Sequence, residues 1–437
     1  SISMPPIPMF RPASFIVFLR DGVGSYVSDE IIPQGAPLGP SSGIEINVTA
    51  SGFRITDANE FAKLGSAENR NKDFALGGDI DLAGTGTVWN GPSGYTGHFY
   101  GNGYTIKNLV LKNGDSRAGL FYSLSGAAEV RDFTLNVISE NPDANVSNIY
   151  FGGVAGDVLN TSGNGVLIEN VKVTGTLAVG RVTGYIDIGG IVAVTSGNAK
   201  TTIRRANSEL NIKLSGTQGQ NTSHCSFGGI VATAAGNLTI EDCQYTGNIE
   251  VTSDTDRMIR AGGILGCTWG NNATTTIRRT YSTGTIITDI GARTAVSSSS
   301  NDNRYVAAGG LIGFIRPTGT VYIENSAALM NKIITNSSND VNFIYRGRLV
   351  GLSSTTAVTY TNNIVLAGAQ IGNATRNSYD SSFNDNLNTA DGHALNADAS
   401  GLYNQNTWTN IAPNGLGWNT TVWNFSGLAQ SKLPLLK

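Results

Sequence analysis

The sequence predicts an all-β fold, a right-handed parallel β-helix, on three observations. A Gly-Gly-apolar motif returns five times, an Ile-polar-polar motif returns with it, and a column of charges alternates in sign when the second motif is aligned. The 437 residues exceed the roughly 250 to 300 at which one globular core stops growing. A stack of repeats escapes that bound, because each unit buries its apolar face only against its neighbours. Composition agrees: 55 glycines, 14% charged residues and 40% apolar residues alternating with small polar ones favour strands and turns over disorder.

The first motif stands at Gly152-Gly153-Val154, Gly189-Gly190-Ile191, Gly228-Gly229-Ile230, Gly262-Gly263-Ile264 and Gly309-Gly310-Leu311, in steps of 37, 39, 34 and 47 residues, with weaker copies at Gly119-Leu120-Phe121 and Gly347–Gly351. It reads as one strand of each unit. The second strand carries Ile168-Glu169-Asn170, Ile203-Arg204-Arg205, Ile240-Glu241-Asp242, Ile277-Arg278-Arg279 and Ile323-Glu324-Asn325. A third is introduced by glycine, as in Gly247-Asn248-Ile249 and Gly284-Thr285-Ile286. Three strands per unit make a triangular coil whose variable length falls in the loop after the third strand, at 252–260 and Asp289–Tyr305. Return of one residue type to one place in each unit is expected when equivalent strands stack directly in a parallel sheet. The glycines suit sharp corners, through positive φ or close backbone approach.

Alignment on the second motif puts Arg131, Glu169, Arg204, Glu241, Arg278 and Glu324 in one column of unbroken alternating charge. The next column reads Asn108, Asp132, Asn170, Arg205, Asp242, Arg279, Asn325, Asn362. As stacked neighbours, each exposed opposite pair contributes about 0.2–1 kcal/mol and helps fix the register. A charged ligand stripe or an acid-base set is the competing reading. Mutual neutralisation and repetition in every coil favour a structural ladder, because a catalytic pair is local.

Both ends of the stack need covering. Asp57 with Glu60 three residues on is a helix-start pattern, placing a short cap over Ala58–Leu64 that buries Phe61 and Leu64. At the other end Trp408, Trp418 and Trp423 cluster near Leu433-Pro434-Leu435. They are read as packing under the last coil, with a sugar-stacking platform as the alternative. The organisation is therefore an extension with its own hairpin at 1–43, a β-helix at 44–401 with its cap at about 55–64, and a C-terminal capping segment at 402–437. Cys225, Cys243 and Cys267 lack metal or redox spacing and read as free core thiols, with a disulfide between two of them as the alternative.

The segments Phe74-Ala75-Leu76-Gly77-Gly78-Asp79-Ile80-Asp81-Leu82, then Gly97–Leu109, then Gly119-Leu120-Phe121, resemble the opening of the GLUG-motif repeat proteins, adhesin-like β-helices of bacterial surfaces. Gly417-Trp418, Trp423-Asn424-Phe425 and Leu433-Pro434 resemble that family's ending. The resemblance spans about residues 53–437 and departs from the family in the repeats, which mostly read Gly-Gly-Ile or Gly-Gly-Leu where the family has Gly-Leu. It implies an exported protein, outside the cell or on its outer surface, of the kind found in gut-dwelling Gram-negative bacteria. It carries no shared catalytic residues.

Net charge of −3 and a pI near 5.7 give no basic field for nucleic acid. The apolar run Phe15–Leu19 is too short to span a bilayer, and no cleavable leader precedes Ser1, so an exported form would already have lost its signal. No cofactor or metal is expected: Asp79 and Asp81 faintly resemble a calcium loop but lack the closing Glu. His98, His224 and His393 have no nucleophile or ligand pattern around them. Threonines cluster, as at Thr274–Thr276, without recurring in register, which argues against an ice-type surface. A noncatalytic binder of glycan or cell-surface protein is the leading expectation, with a polysaccharide lyase or glycosidase and a passive stalk as alternatives. Its expected site is the loop Asn301, Asp302, Asn303, Arg304 and Tyr305, where planar amides and an aromatic ring project from one corner. A solvated loop is the competing reading.

Overall fold

The computed structural model describes residues 52–372, apart from 87, 114–116, 144, 218–224, 254–256, 291–304, 317, 338–343 and 354–356, together with 395–437 and two short strands at Val17–Leu19 and Tyr26–Asp29. Those two strands pair antiparallel. From Gly52 to the strand at 395–397 every strand pairing is parallel, each strand lying on its counterpart one coil away, as in a parallel β-helix.

One coil shows the plan. Ile186–Gly189 and Val192–Thr195 are followed by Lys200–Arg204, Asn207–Ser208 and Asn211–Thr217. Each pairs with its equivalent in the next coil: Cys225–Gly228, Val231–Ala234, Asn237–Glu241, Gln244–Tyr245 and Asn248–Ser253. The Gly-Gly motif is therefore a bend between two strands and not a strand, which corrects the triangular coil. The two strands it joins build two separate seven-stranded sheets.

Close approach, not positive φ, demands these glycines. None of the ten motif glycines is left-handed. A Cβ on Gly228 would sit 1.8 Å from the Val231 carbonyl oxygen across the bend, and one on Gly229 2.1 Å from the Gly263 oxygen of the next coil. The left-handed corner lies elsewhere, at Asn108, Asp132, Asn170, Arg205, Asp242, Arg279, Asn325 and Asn362, all with φ between 48° and 66°. Asn and Asp reach this region cheaply because a short polar side chain bonds locally. They do so along the stack: Asn170 Nδ2 donates to Asp132 Oδ1 at 2.9 Å, and Asn362 Nδ2 to Asn325 Oδ1 at 2.7 Å.

Inside, Ile168, Ile203, Ile240, Ile277 and Ile323 are fully buried in one continuous core that runs the length of the stack. At its start Ala58–Phe61 is helical and continues as a 3-10 turn over Ala62–Gly65, burying Phe61 and Leu64. Asp57 Oδ1 accepts from the Glu60 amide at 2.8 Å, and Glu60 reaches back to the Thr56 amide at 2.7 Å, so orphan donors at the helix start are satisfied.

The tryptophans are buried, but they do not lie under the last coil. The segment from Ala399 folds back along the side of the stack. Asn362 Nδ2 donates to Gly415 O, Trp418 Nε1 to Asn325 O, Tyr281 Oη to Pro434 O, and the Leu436 amide to Gln244 Oε1. Gln244, Tyr281, Ala327 and Ile364 form one outward column over four coils. From Tyr281 onward that column is apolar enough to need a cover, and the tail supplies it. Trp408, Trp418 and Trp423 are at most 2% exposed, leaving no ring face for a sugar. The three cysteines are free and buried, so no disulfide joins any two of them.

His98 meets Asp73 of the preceding coil, Nδ1 to Oδ1 at 3.4 Å. That hydrogen bond raises the His98 pKa above its ordinary 6.5. Burial pushes Asp73 upward, but His98 outweighs it and leaves the carboxyl below 3.8. The pair's stabilisation is therefore present between about pH 4 and 6.5. It is lost on the acid side as Asp73 protonates through its lowered pKa, and on the alkaline side as His98 deprotonates through its raised one. An NMR titration should place His98 above 6.5, with Asp73→Asn lowering it; an unchanged value in that variant refutes the pairing.

Candidate functional site

The charged column is in register: Arg131 on Glu169, Glu169 on Arg204, Arg204 on Glu241, Glu241 on Arg278, Arg278 on Glu324. Glu169 is 1% exposed and meets Arg131 at 3.8 Å, Arg204 at 2.7 Å and also Arg205. Glu241 meets Arg278 at 2.6 Å and Arg279 at 3.1 Å. Burial pushes Glu169 up, yet Arg205 and Arg204 outweigh it and hold the carboxyl below its usual range. These groups are occupied by one another, and the central carboxylate is beyond a ligand's reach.

A different feature offers a surface. Beyond the Gly-Gly bend the outer faces of the two seven-stranded sheets turn toward each other, so side chains pointing away from the core meet across a re-entrant corner. Arg117 Nε lies 2.6 Å from Asp157 Oδ2, Ser196 Oγ donates to Asp157 Oδ1 at 3.0 Å, and Thr233 Oγ1 donates to Asp187. Asp157 is 1% exposed, and burial raises its pKa against the pull of Arg117. In this half of the corner Arg117 and Asp157 neutralise each other, and Asp187 is held by a hydroxyl.

The other half differs. Arg260, 1% exposed, occupies the position held by Ser226 and Ala307 in the adjoining coils. Its guanidinium carbon lies 4.5 Å from the Trp269 ring centre and 5.0 Å from that of Phe314; Nε donates to Tyr305 Oη at 2.9 Å, and Nη1 faces Cys267 Sγ at 3.5 Å. Arg316 lies 4.0 Å from the centre of the same indole and donates to the Trp269 carbonyl at 3.1 Å. Trp269, Tyr305, Arg316 and Leu352 are half-buried at the corner's mouth. Among the described residues no carboxylate lies within ion-pair distance of either guanidinium.

Asn301, Asp302, Asn303 and Arg304 lie outside the described residues. Tyr305 is not a free loop aromatic: its ring packs on Phe314, centroids 5.1 Å apart, and its hydroxyl is held by Arg260. Burial lifts its pKa to about 12 against the opposing Arg260, so it stays protonated. Asp289 belongs to the strand Tyr281–Ile290 and pairs with Asn336, so it is not part of a loop. The sequence reading missed Arg260, Trp269, Phe314 and Arg316. The available signal was slight, a large cationic residue between the small Ser226 and Ala307 in a column that elsewhere carries Arg117, Tyr150, Asp187 and Tyr345.

Two further surfaces carry less. Past Leu436 the column covered by the tail stands open as a groove of about 220 Å³, lined among others by Asp132, Asn170, Lys172, Arg205 and Asn207. Its charges are engaged, Lys172 with Glu209 at 2.8 Å, Asp132 with Arg131 at 2.8 Å and Arg205 with Glu169. Contrary to the sequence expectation, a threonine column does exist: Thr202, Thr239 and Thr276 stack directly, with Tyr322 and then Thr359 beyond. It is interrupted by a ring and bordered two residues away by the charge ladder. Asp79 and Asp81 are spent on the Thr105 amide and on the Ala83 amide and Asn108. His224 and His393 lie outside the described residues. No helix among the described residues is long and apolar enough to cross a membrane.

No family model matches the chain. A stretch of 189 residues, 41% of the chain, is 27% identical to Halomucin of Haloquadratum walsbyi (strain DSM 16790 / HBSQ001), and the match spans only 2% of that protein's length. Among solved structures, a candidate immunoglobulin A1 protease from Bacteroides ovatus aligns over 88% of this chain and 92% of its own, at 21% identity and a TM-score of 0.49. Neither similarity reaches far enough to place the chain in a family.

Proposed function

We propose that this protein is an exported, cell-surface or secreted, noncatalytic adhesin-like binder of the GLUG-motif type. In this reading it holds a glycan at the arginine-aromatic end of the re-entrant corner. The observation that carries it is the cluster of Trp269, Tyr305 and Arg316 at the corner's mouth, with Arg260 buried behind them. A half-buried indole edge beside guanidinium donors offers a sugar an apolar contact and hydrogen bonds. The GLUG resemblance supports export, and the stretch shared with Halomucin, a mucin by its name, points the same way. Against a glycan-cleaving enzyme stands the state of the corner's carboxylates. Asp157 and Asp187 are at most 2% exposed and engaged by protein partners, where a glycosidase needs a reachable pair flanking the scissile bond.

A glycan array run beside an assay for released reducing or unsaturated sugars tests this. Binding without turnover is expected. Trp269→Ala should weaken it about tenfold, the equivalent of ~1.4 kcal/mol, at temperatures where circular dichroism shows the variant still folded. Turnover of any polysaccharide overturns the reading in favour of an enzyme, and silence toward glycans leaves a stalk or a protein-binding surface.

A further inference from the structure

Resting on that reading, we infer that the sugar held at this corner is anionic, bearing a carboxylate. Two guanidiniums share the Trp269 indole, and neither meets a carboxylate among the described residues. A buried cation is normally paired, because desolvation penalises an isolated charge. Arg260 is held by a phenol, a thiol and a thioether sulfur of Met258, which satisfy donors but bring no negative charge. Among the described residues the carboxylate of Asp187 reaches it only through Thr233 and Cys267, so no direct ion pair cancels its field, and low-dielectric walls focus it toward the mouth of the corner. The contrast lies within the same corner, where Arg117 is closed off by Asp157. The positive end is local, for the chain as a whole carries −3.

The donors at the mouth fit a planar anion. Arg316 commits Nη1 to the Trp269 carbonyl and keeps Nε and Nη2 for a carboxylate fork. Tyr305 Oη accepts from Arg260 Nε, so its own proton is free to point at a second oxygen. The half-buried indole, its faces taken by the two guanidiniums, adds only an edge contact for the ring that carries the acid.

The test uses the full chain and two matched probes, an oligogalacturonate and its methyl ester of equal length, at 50 and 200 mM salt. The acid should bind at least tenfold more tightly than the ester and lose much of that margin at the higher salt. Arg316→Ala should erase the margin while weak binding of both probes persists, and Arg316→Lys should keep part of it. Arg260→Met, which keeps the length and apolar body of the side chain, should also reduce it. Equal binding of acid and ester, or a margin untouched by Arg316→Ala, overturns the inference but leaves glycan binding standing. Failure of both probes, with neutral glycans still bound on the array in a Trp269-dependent way, does the same. Loss of all glycan binding overturns the parent reading as well, and tighter binding of a hexaglutamate peptide than of either sugar replaces the sugar by an acidic protein segment.

Discussion

Replacing Glu169 by Gln should cost about 3–5 kcal/mol, the range for removing one partner of a buried ion pair. Glu169 is 1% exposed and answers Arg131, Arg204 and Arg205, whose side chains are 10%, 17% and 9% exposed. An amide preserves the shape but leaves three guanidiniums short of charge, and among the described residues Arg204 and Arg205 make no second ion pair. Glu241 is the internal comparison. Its partners Arg278 and Arg279 are 40% and 28% exposed, so solvent screens the loss, and Glu241→Gln should cost about 1 kcal/mol. Glu241→Lys should cost more than Glu241→Gln, because stacked like charges add repulsion to the lost pair. Urea midpoints, with hydrogen exchange to assign the loss to particular coils, measure all three. Equal costs at 169 and 241 would refute the claim that burial sets the difference.

The same substitution has a pH signature. The folded-state pKa of Glu169 is depressed, so its contribution is present above the unfolded value, near 4.5, and is lost as pH falls through the folded one. The gap between wild type and Glu169→Gln should therefore narrow in acid. Asp132 and Asp157 run oppositely. Burial outweighs their arginine partners and raises both, so their contribution diminishes as pH rises through those raised values.

What could be read from the sequence follows from which forces leave a periodic trace. The ladder was legible because parallel stacking at one register repeats a side-chain environment in every coil, and Arg131 to Glu324 record it. The nature of the Gly-Gly motif was not. A glycine needed for positive φ and one needed for close approach look alike in a sequence, and only the 1.8 Å clearance at Gly228 separates them. The left-handed corner was hidden by Arg205 and Arg279, cations in a place that favours Asn. They persist there with Glu169 and with Glu241 and Asp242 as partners. The candidate site was the least visible. Arg260 and Trp269 meet Tyr305 and Phe314 only because two sheets fold their outer faces together, a relation between strands that no single strand's pattern contains.

The tail gives the second large expectation. Trp418→Ala should cost about 3–5 kcal/mol, as for a buried Trp truncated in a core, and the loss should appear along the side of the stack. Trp418 packs on Trp423 with centroids 4.4 Å apart and on Trp408 at 4.7 Å, and its indole nitrogen donates to Asn325 O at 2.8 Å. With the ring removed, the tail loses its hold on Tyr281, Ala327, Leu329 and Ile364, which form one apolar cluster with it. Proteolysis should then cut first within 399–437, and hydrogen exchange should quicken in the strands Tyr281–Ile290 and Ala327–Ser337 as well as in Ile364–Leu366. A plug beneath the final coil would behave differently, loosening only the terminal strands, so protection retained at 281–290 would refute the lateral arrangement. Trp418→Phe separates the contributions: it keeps most of the stacking and forfeits the hydrogen bond, for about 1 kcal/mol. Coils around Phe74 and Phe99, at the far end of the stack, should be unchanged in both variants, because a stack transmits stability mainly between neighbours.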